Sequence, residues 1–432
     1  MALKRSLGIV IPTFDRLPDL RRTLRSLAAQ RCDPETFEVV VADDGSSERT
    51  MTVIKEYEDQ LNLRYIYQRD DGFRAAAARN SGAALINAPL LAFLDHGVIA
   101  GPEYVNRVLA VFARSDRAPA LLGYEYGYDP WNPFPELLPL LDRLPPEEAI
   151  RGQSPRRIRD ARHERFGLPP DLPVDPDPPG DGLMDLSHLA APWDLHWSGN
   201  LVLAAEDFWA VGGFADDYCT WGGEDIELGY RIWLRGVPHL MSRGAWGIET
   251  PRASRDTQVN RRAIYRNMVN FWRKHQDPAG ELVWALYAQW FTAATINANT
   301  TIEREMRALN AWRARSREQD VLPELERADI AACSRSVAVF GSGARLPEEW
   351  TRRGLRCAAL DFDPELAAAV GGRHAIGART SFEVGEFDQV LLTSRMSGLS
   401  PFLRELAMEE AGRIGDQVEF LGVGERATGA HA

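Results

Sequence analysis

Apolar residues along the first hundred positions switch repeatedly between two periods. Residues 7–11 (LGIVI) form a continuous apolar run stopped by Pro12, and Leu17, Leu20, Leu24 and Leu27 then recur at helical spacing. Residues 37–42 (FEVVVA) make a second run, followed by Val53, Ile54, Tyr57 and Leu61 on one helical face. Residues 63–67 predict a third strand, the stretch FRAAAARNSGAALI a third helix, and residues 89–94 (PLLAFL) a fourth strand. Strands alternating with helices predict an α/β fold, its sheet mostly parallel and doubly wound by right-handed crossovers. In such sheets ligands bind beyond the carboxyl ends of the strands.

Two of those ends are polar in the same way. VVVADDGSS closes on Asp43 and Asp44, and LAFLDHG closes on Asp95 and His96. Asp-Asp-Gly-Ser alone is equally well a turn leading into a helix N-cap. The second acidic strand end tilts the balance toward a site. A chain of 432 residues has room for two or three domains, and 45% hydrophobic with 26% charged residues is ordinary globular composition. A net charge of −12 argues against nucleic acid as a partner, though not against a small phosphorylated ligand. Cys32, Cys219, Cys333 and Cys357 lack CxxC spacing, so neither a disulfide framework nor a zinc cage is expected. No stretch approaches the roughly 20 apolar residues that span a bilayer. The first apolar run is too short for a signal sequence, so the cytoplasm is the expected compartment.

VIPTFDR, VVVADDGSS, GFRAAAARNSGA and LAFLDHG, in that order, resemble the successive landmarks of family 2 glycosyltransferases, whose fold is the Rossmann-like GT-A fold. The resemblance is close over about residues 6–105. It implies that Pro12, Thr13, Asp43 and Asp44 hold the base and ribose of a nucleotide-sugar. It also implies that Arg74 or Arg79 approaches the diphosphate, against the commoner fate of an arginine on a solvated helix surface. The family's metal motif is Asp-x-Asp, and this chain departs from it with Asp95-His96-Gly97. One carboxylate and an imidazole can still hold Mn²⁺ or Mg²⁺, ions that often keep waters and substrate phosphates. The alternatives are that Asp95 contacts only ribose, or that a further ligand arrives from elsewhere.

A second block, HWSGNLVLAAEDFWAVGGFADDYCTWGGEDIELGYRIWLRG, resembles the acceptor half of galactosyltransferase-like members of the same fold. Their hallmark corresponds to Trp221, Gly222, Gly223, Glu224 and Asp225. Ile226, Tyr230, Trp233 and Leu234 follow at helical spacing, and Gly236 stands where a helix would end. First-turn acids complement a helix dipole by themselves, but this does not explain a Gly-Gly entry or the flanking tryptophan. By the resemblance Asp225 is the general base, Glu224 orients the acceptor, and the reaction is one inverting displacement. Trp221, Gly223, Trp197 and His196 are the further acceptor-side candidates, with the alternative that His196 merely packs. Relatives often carry a metal-binding histidine after this helix; here Glu249 is the nearest candidate for that place, and a surface acid is the alternative.

The intervening segments YEYGYDPWNPFPELLPLLDRLPP and FGLPPDLPVDPDPPGDG are rich in Pro, Gly and Asp and suggest an acceptor lid. The expected organisation is a glycosyltransferase domain over 1–256 (nucleotide-sugar half 1–105, acceptor half 106–256), a helical region 257–332, and a small Rossmann-like domain 333–432. In the last, SVAVFGSGARLPEEW has a Gly-x-Gly turn but Leu346 in place of the third glycine. A degenerate structural or oligomerising role is expected there, with S-adenosylmethionine binding as the alternative.

The resemblance thus implies a UDP-dependent, inverting hexosyltransferase, with glucose or galactose as the sugar. Its layout is similar to glucosyltransferases of aminocyclitol antibiotics, which implies a small amine-bearing acceptor paired with Glu224, Asp194 or Asp217. The alternatives are a polysaccharide or capsule transferase, and a sugar-binding protein that has lost the chemistry. Stable membrane insertion is not expected.

Overall fold

The computed structural model describes residues 5–129, 134–160, 162, 174–178, 182–251, 258–292 and 298–421. The chain divides into two compact units, Met1–Asn267 and Met268–Ala432. Of the expected acceptor lid, residues 130–133, 166–173 and 179–181 lie outside the described residues.

In the first unit the described strands are β1 (Leu7–Thr13), β2 (Phe37–Asp43), β3 (Leu63–Tyr67), β4 (Leu90–Leu94), β5 (Val98–Ala100), β6 (Ala120–Tyr126), β7 (Leu183–Asp185), β8 (Asn200–Ala204) and β9 (His239–Glu249). They pair in the order β3-β2-β1-β4-β8-β6-β9-β5, with β7 beside β9. The first four strands are parallel, in the register Ile9↔Val39, Val39↔Leu63 and Ile9↔Ala92. They are the four runs expected from the apolar pattern. Every residue of β1 and β2 is buried, which is why their sequences are mostly continuous apolar runs and not alternating ones, with Glu38 a buried exception in β2.

β8 runs antiparallel between β4 and β6, and β9 is parallel to β6. Along one edge of the sheet lie the carboxyl ends of β1, β2, β4, β6 and β9 and the amino end of β8. Thr13, Asp43, Asp95, Glu125, Glu249 and Gly199 therefore share that edge.

Each face carries its own core. Leu20, Leu24 and Leu27 of the helix Leu17–Ala28 pack on one face with Val53, Ile54, Tyr104 and Val108. Phe93, Phe208, Phe214, Leu228 and Trp246 are buried on the other. The helix Ala75–Ala83 lies close over β1 and β2, because its residues are small. A Cβ placed on Gly82 would lie 2.6 Å from Val10 Cγ1, so the approach is possible only without a side chain there.

The second unit carries a parallel sheet of β10 (Ser336–Phe340), β11 (Arg356–Asp361), β12 (Arg373–His374), β13 (Phe387–Leu392) and β14 (Gly415–Phe420), in the order β12-β11-β10-β13-β14. The helices Pro278–Thr292, Ala298–Ser316 and Leu322–Arg327 belong to the same unit.

Phe93 tests the packing under the site. Its ring meets Phe208 at 5.1 Å and Phe214 at 5.0 Å between centroids, the latter edge-on. Phe93→Ala is expected to lower unfolding free energy by about 3–5 kcal/mol, read from a denaturant midpoint at unchanged slope.

Candidate active site

The residues at the sheet edge are joined by one buried cation. Arg79 leaves the helix Ala75–Ala83 only 5% exposed and splits its fork between two carboxylates. Nη2 donates to Asp95 Oδ1 at 2.9 Å and Nη1 to Glu224 Oε1 at 3.0 Å. Its guanidinium also lies 5.3 Å from the centre of the Phe214 ring. Arg79 was expected at a diphosphate; here its two terminal nitrogens hold the carboxylates together. Glu224 Oε2 remains buried with no hydrogen-bond partner.

The helix Glu224–Leu234 begins at two glycines in the left-handed region, Gly222 (φ +90°) and Gly223 (φ +98°). A side chain at either position would be strained, so the Gly-Gly pair is a backbone requirement. Asn267 clamps this entry by donating to the carbonyls of Thr220 (2.9 Å) and Gly222 (2.6 Å). The turn delivers Asp225 half-buried, with Oδ1 accepting from the Ile226 amide at 2.8 Å and Oδ2 from the Ser198 amide at 3.4 Å. Burial and then the charge of Glu224 push its carboxyl up to about 7, against the pull of Arg79. A base that titrates near neutrality suits removal of a hydroxyl proton. Trp221, just before the glycines, is half-exposed.

On the other half of the edge, the residues expected to hold base and ribose are largely committed to the loop itself. Asp43 accepts from the amides of Gly45 (3.2 Å) and Ser46 (2.7 Å) and from the Tyr65 hydroxyl (2.9 Å), which is the turn geometry its sequence also allowed. Asp44 accepts from Gln68 and from the Arg74 amide at 2.8 Å, and burial raises its pKa. The Thr13 carbonyl receives the Asp44 amide at 2.8 Å, and the Pro12 carbonyl pairs with His96 Nδ1, also at 2.8 Å. Arg74 caps the helix Ala75–Ala83, and its guanidinium donates to the Arg69 carbonyl and lies 3.9 Å from Asp71.

Two expectations need correction. His196 was placed in the acceptor pocket, but it is 0% exposed beneath the helix Glu224–Leu234. A Cβ on Gly229 would come within 2.3 Å of it, and burial beside His239 keeps its imidazole neutral. His196 therefore sits under the helix and not in a pocket, its Nδ1 pairing with the Asp225 carbonyl at 3.3 Å. Asp95, His96 and Glu249 were expected as metal ligands, yet among the described residues no group of three His, Cys, Asp or Glu side chains can hold a metal ion. Glu249 is buried where β9 pairs with Val98 of β5. His96 Nδ1 donates to the Pro12 carbonyl at 2.8 Å, the kind of hydrogen bond that fixes the ring of a ligating histidine.

The sequence reading missed Glu125, Asp160 and Arg162. Glu125 lies one residue before the end of β6 and is fully buried, with Oε1 3.4 Å from Arg162 Nη2 and Oε2 without a hydrogen-bond partner. Burial drives its carboxyl well above the usual range, Arg162 opposes this, and Glu249, Asp160 and Asp95 add to it. The signal was available: YEYGY places one acid at the end of an apolar run, as LAFLDH does.

Comparison with known proteins fits this geometry. Residues 8–166 match the family described as glycosyl transferase family 2, and residues 183–253 match the N-terminal domain of galactosyltransferase. The chain is 41% identical over 425 residues to a validoxylamine A glucosyltransferase of Streptomyces hygroscopicus subsp. limoneus, covering 95% of this chain and 89% of that protein. It is 30% identical to a hyaluronan synthase of Pasteurella multocida over 53% of this chain and 23% of that protein. The chain belongs to glycosyltransferase family 2. No helix among the described residues of this glycosyltransferase is long and apolar enough to cross a membrane.

The glycosyltransferase carries a further acid at a strand end, Asp361 of β11, in its C-terminal unit. Asp361 is spent internally: it accepts from Arg395 Nε (2.9 Å) and Nη2 (3.0 Å) and from the Gly343 amide (2.9 Å). Both partners of this ion pair are fully buried. The arginine occupies the carboxylate that a ribose hydroxyl would need, and this supports the structural reading of the unit.

If Asp225 is the base, only its unprotonated form works. The transferase's kcat/KM is then expected to rise about tenfold per pH unit below pH ~7 and to level off above it. A flat profile between pH 5.5 and 8 would exclude Asp225 from that role.

Proposed function

We propose that this glycosyltransferase moves a glucosyl group from UDP-glucose to a hydroxyl of a small aminocyclitol acceptor, with inversion at the anomeric carbon. The observation that carries the mechanism is Asp225, a carboxyl at about 7 at the mouth of the helix Glu224–Leu234, joined through Glu224 and Arg79 to Asp95 on the opposite half. The acceptor rests on the extensive similarity to validoxylamine A glucosyltransferase.

In this reading the acceptor oxygen attacks the anomeric carbon as its proton passes to Asp225 Oδ. The bond from that carbon to the UDP oxygen breaks on the opposite face. Trp221 and Trp197 offer apolar faces to the ring, and Glu224, with its spare buried oxygen, orients a hydroxyl or ammonium of the acceptor. Pro12, Thr13, Asp43 and Asp44 bound the nucleoside end. Asp95 and His96 would hold a divalent cation, Mn²⁺ or Mg²⁺, together with diphosphate oxygens, offsetting the charge that leaves with UDP.

Asp225→Asn should abolish transfer by at least about 10³-fold while leaving the UDP dissociation constant nearly unchanged, because a base acts in the transition state. Lost UDP affinity with an intact rate constant would refute the assignment. Asp95→Ala should behave in the opposite way, weakening UDP binding in Mn²⁺ or Mg²⁺ toward the value measured in EDTA; calorimetry reads both. An acceptor screen with UDP-glucose decides the substrate class. Turnover on glycan primers and none on cyclitols or pseudo-disaccharides would move the reading to a polysaccharide transferase.

A further inference from the structure

The turn between His196 and β8 is where three parts of the site meet. Ser198 donates its amide to Asp225, and the Gly199 carbonyl receives the Asp95 amide at 3.0 Å. Trp197 presents its ring beside Tyr128, 5.2 Å between centroids. Small shifts of this turn therefore move the base, the Asp95 strand end and an acceptor-side tryptophan together.

Beneath the turn lies an ionic group that neither half of the reaction uses. Asp160 accepts from Arg162 Nε at 2.9 Å and from the Glu125 amide at 3.0 Å, and Arg162 Nη2 donates to the Gly123 carbonyl at 2.8 Å. All three side chains are buried. The group touches the turn at two points. The Arg162 guanidinium lies 5.6 Å from the Trp197 ring centre, and the Glu125 carboxylate fills the space a side chain at Gly199 would need, 2.9 Å from a Cβ built there. Nη1 of Arg162 and Oε2 of Glu125 have no hydrogen-bond partner. Three ionisable groups kept out of water, with hydrogen-bonding capacity left over, are a poor device for stability alone. They do fix direction, because a fork has one orientation between Asp160 and Glu125.

We propose that Glu125, Asp160 and Arg162 are positioning residues for acceptor binding, holding the Trp197–Gly199 turn at the height Asp225 and the acceptor ring require. The proposal rests on the transferase reading above. The residues touch no reacting atom; they act through Trp197 and Gly199.

Arg162→Lys keeps the charge and loses the fork. It is expected to raise the acceptor KM on the order of tenfold while the UDP dissociation constant stays within about twofold. Hydrogen exchange followed by mass spectrometry should show faster exchange confined to peptides covering residues 196–200. Glu125→Gln keeps the contact with Gly199 and should shift the same readouts by less. An unchanged acceptor KM in both variants, or faster exchange spread across the whole first unit, would overturn the proposal. If the wild-type enzyme transferred no sugar to any acceptor, the transferase reading would fail. The exchange pattern at residues 196–200 would then still decide the positioning role.

Discussion

Arg79 sits where neither water nor a neutral side chain can replace it. Asp95 comes from the end of β4 and Glu224 from the first turn of a helix far along the chain, and one guanidinium holds both at about 3 Å. Without it two carboxylates would face each other inside the protein. Removing one member of such a buried group costs about 3–5 kcal/mol, because the remaining charges stay unpaired. The composition of the Arg79 helix follows from this. A guanidinium on a helix above the sheet reaches both acids only if the helix lies close, and Ala76, Ala78, Gly82 and Ala83 permit that approach.

The same interaction bears on the electrostatics of the proposed base. Burial raises the Asp225 carboxyl first, the charge of the adjoining Glu224 raises it further, and Arg79 opposes both. The balance leaves a carboxyl able to take a proton near neutral pH and still ionised often enough to do so. Its direction comes from the backbone. Two successive left-handed residues end the preceding loop, so the helix starts abruptly and its first-turn acids point back toward the sheet edge. Electrostatic tuning and placement thus have separate sources, burial and the Glu224–Arg79 pair for one and Gly222-Gly223 for the other.

The legible parts of the sequence were those where one local signal fixes one local outcome. The four parallel strands followed from continuous apolar runs, and the Glu224–Leu234 helix from its glycine entry and apolar stripe. The strand-end acids were legible as a class, since an acid closing a buried run is unlike anything packing alone requires. What escaped depends on tertiary partners. His196 reads from sequence as a pocket residue, and only the close approach of Gly229 shows that a helix covers it. Arg162 lies in a stretch without apolar periodicity, and nothing local reveals that Asp160 and Glu125 enclose it. Arg79 could be assigned to a ligand or to solvent by local reading; that it joins two carboxylates distant in sequence is a property of the fold.

The two sheets use the same device and bring it to different ends. In each, a parallel strand next to the first closes on aspartate, Asp43 in one and Asp361 in the other. Asp43 is satisfied by two turn amides and a tyrosine hydroxyl, neutral donors that leave its charge uncompensated and the loop facing the site edge. Asp361 is closed by a buried arginine in a bidentate pair, so its charge is neutralised within the protein. The proposed chemistry lies at the edge of the first sheet, and the acidic position of the second sheet serves as an internal strut.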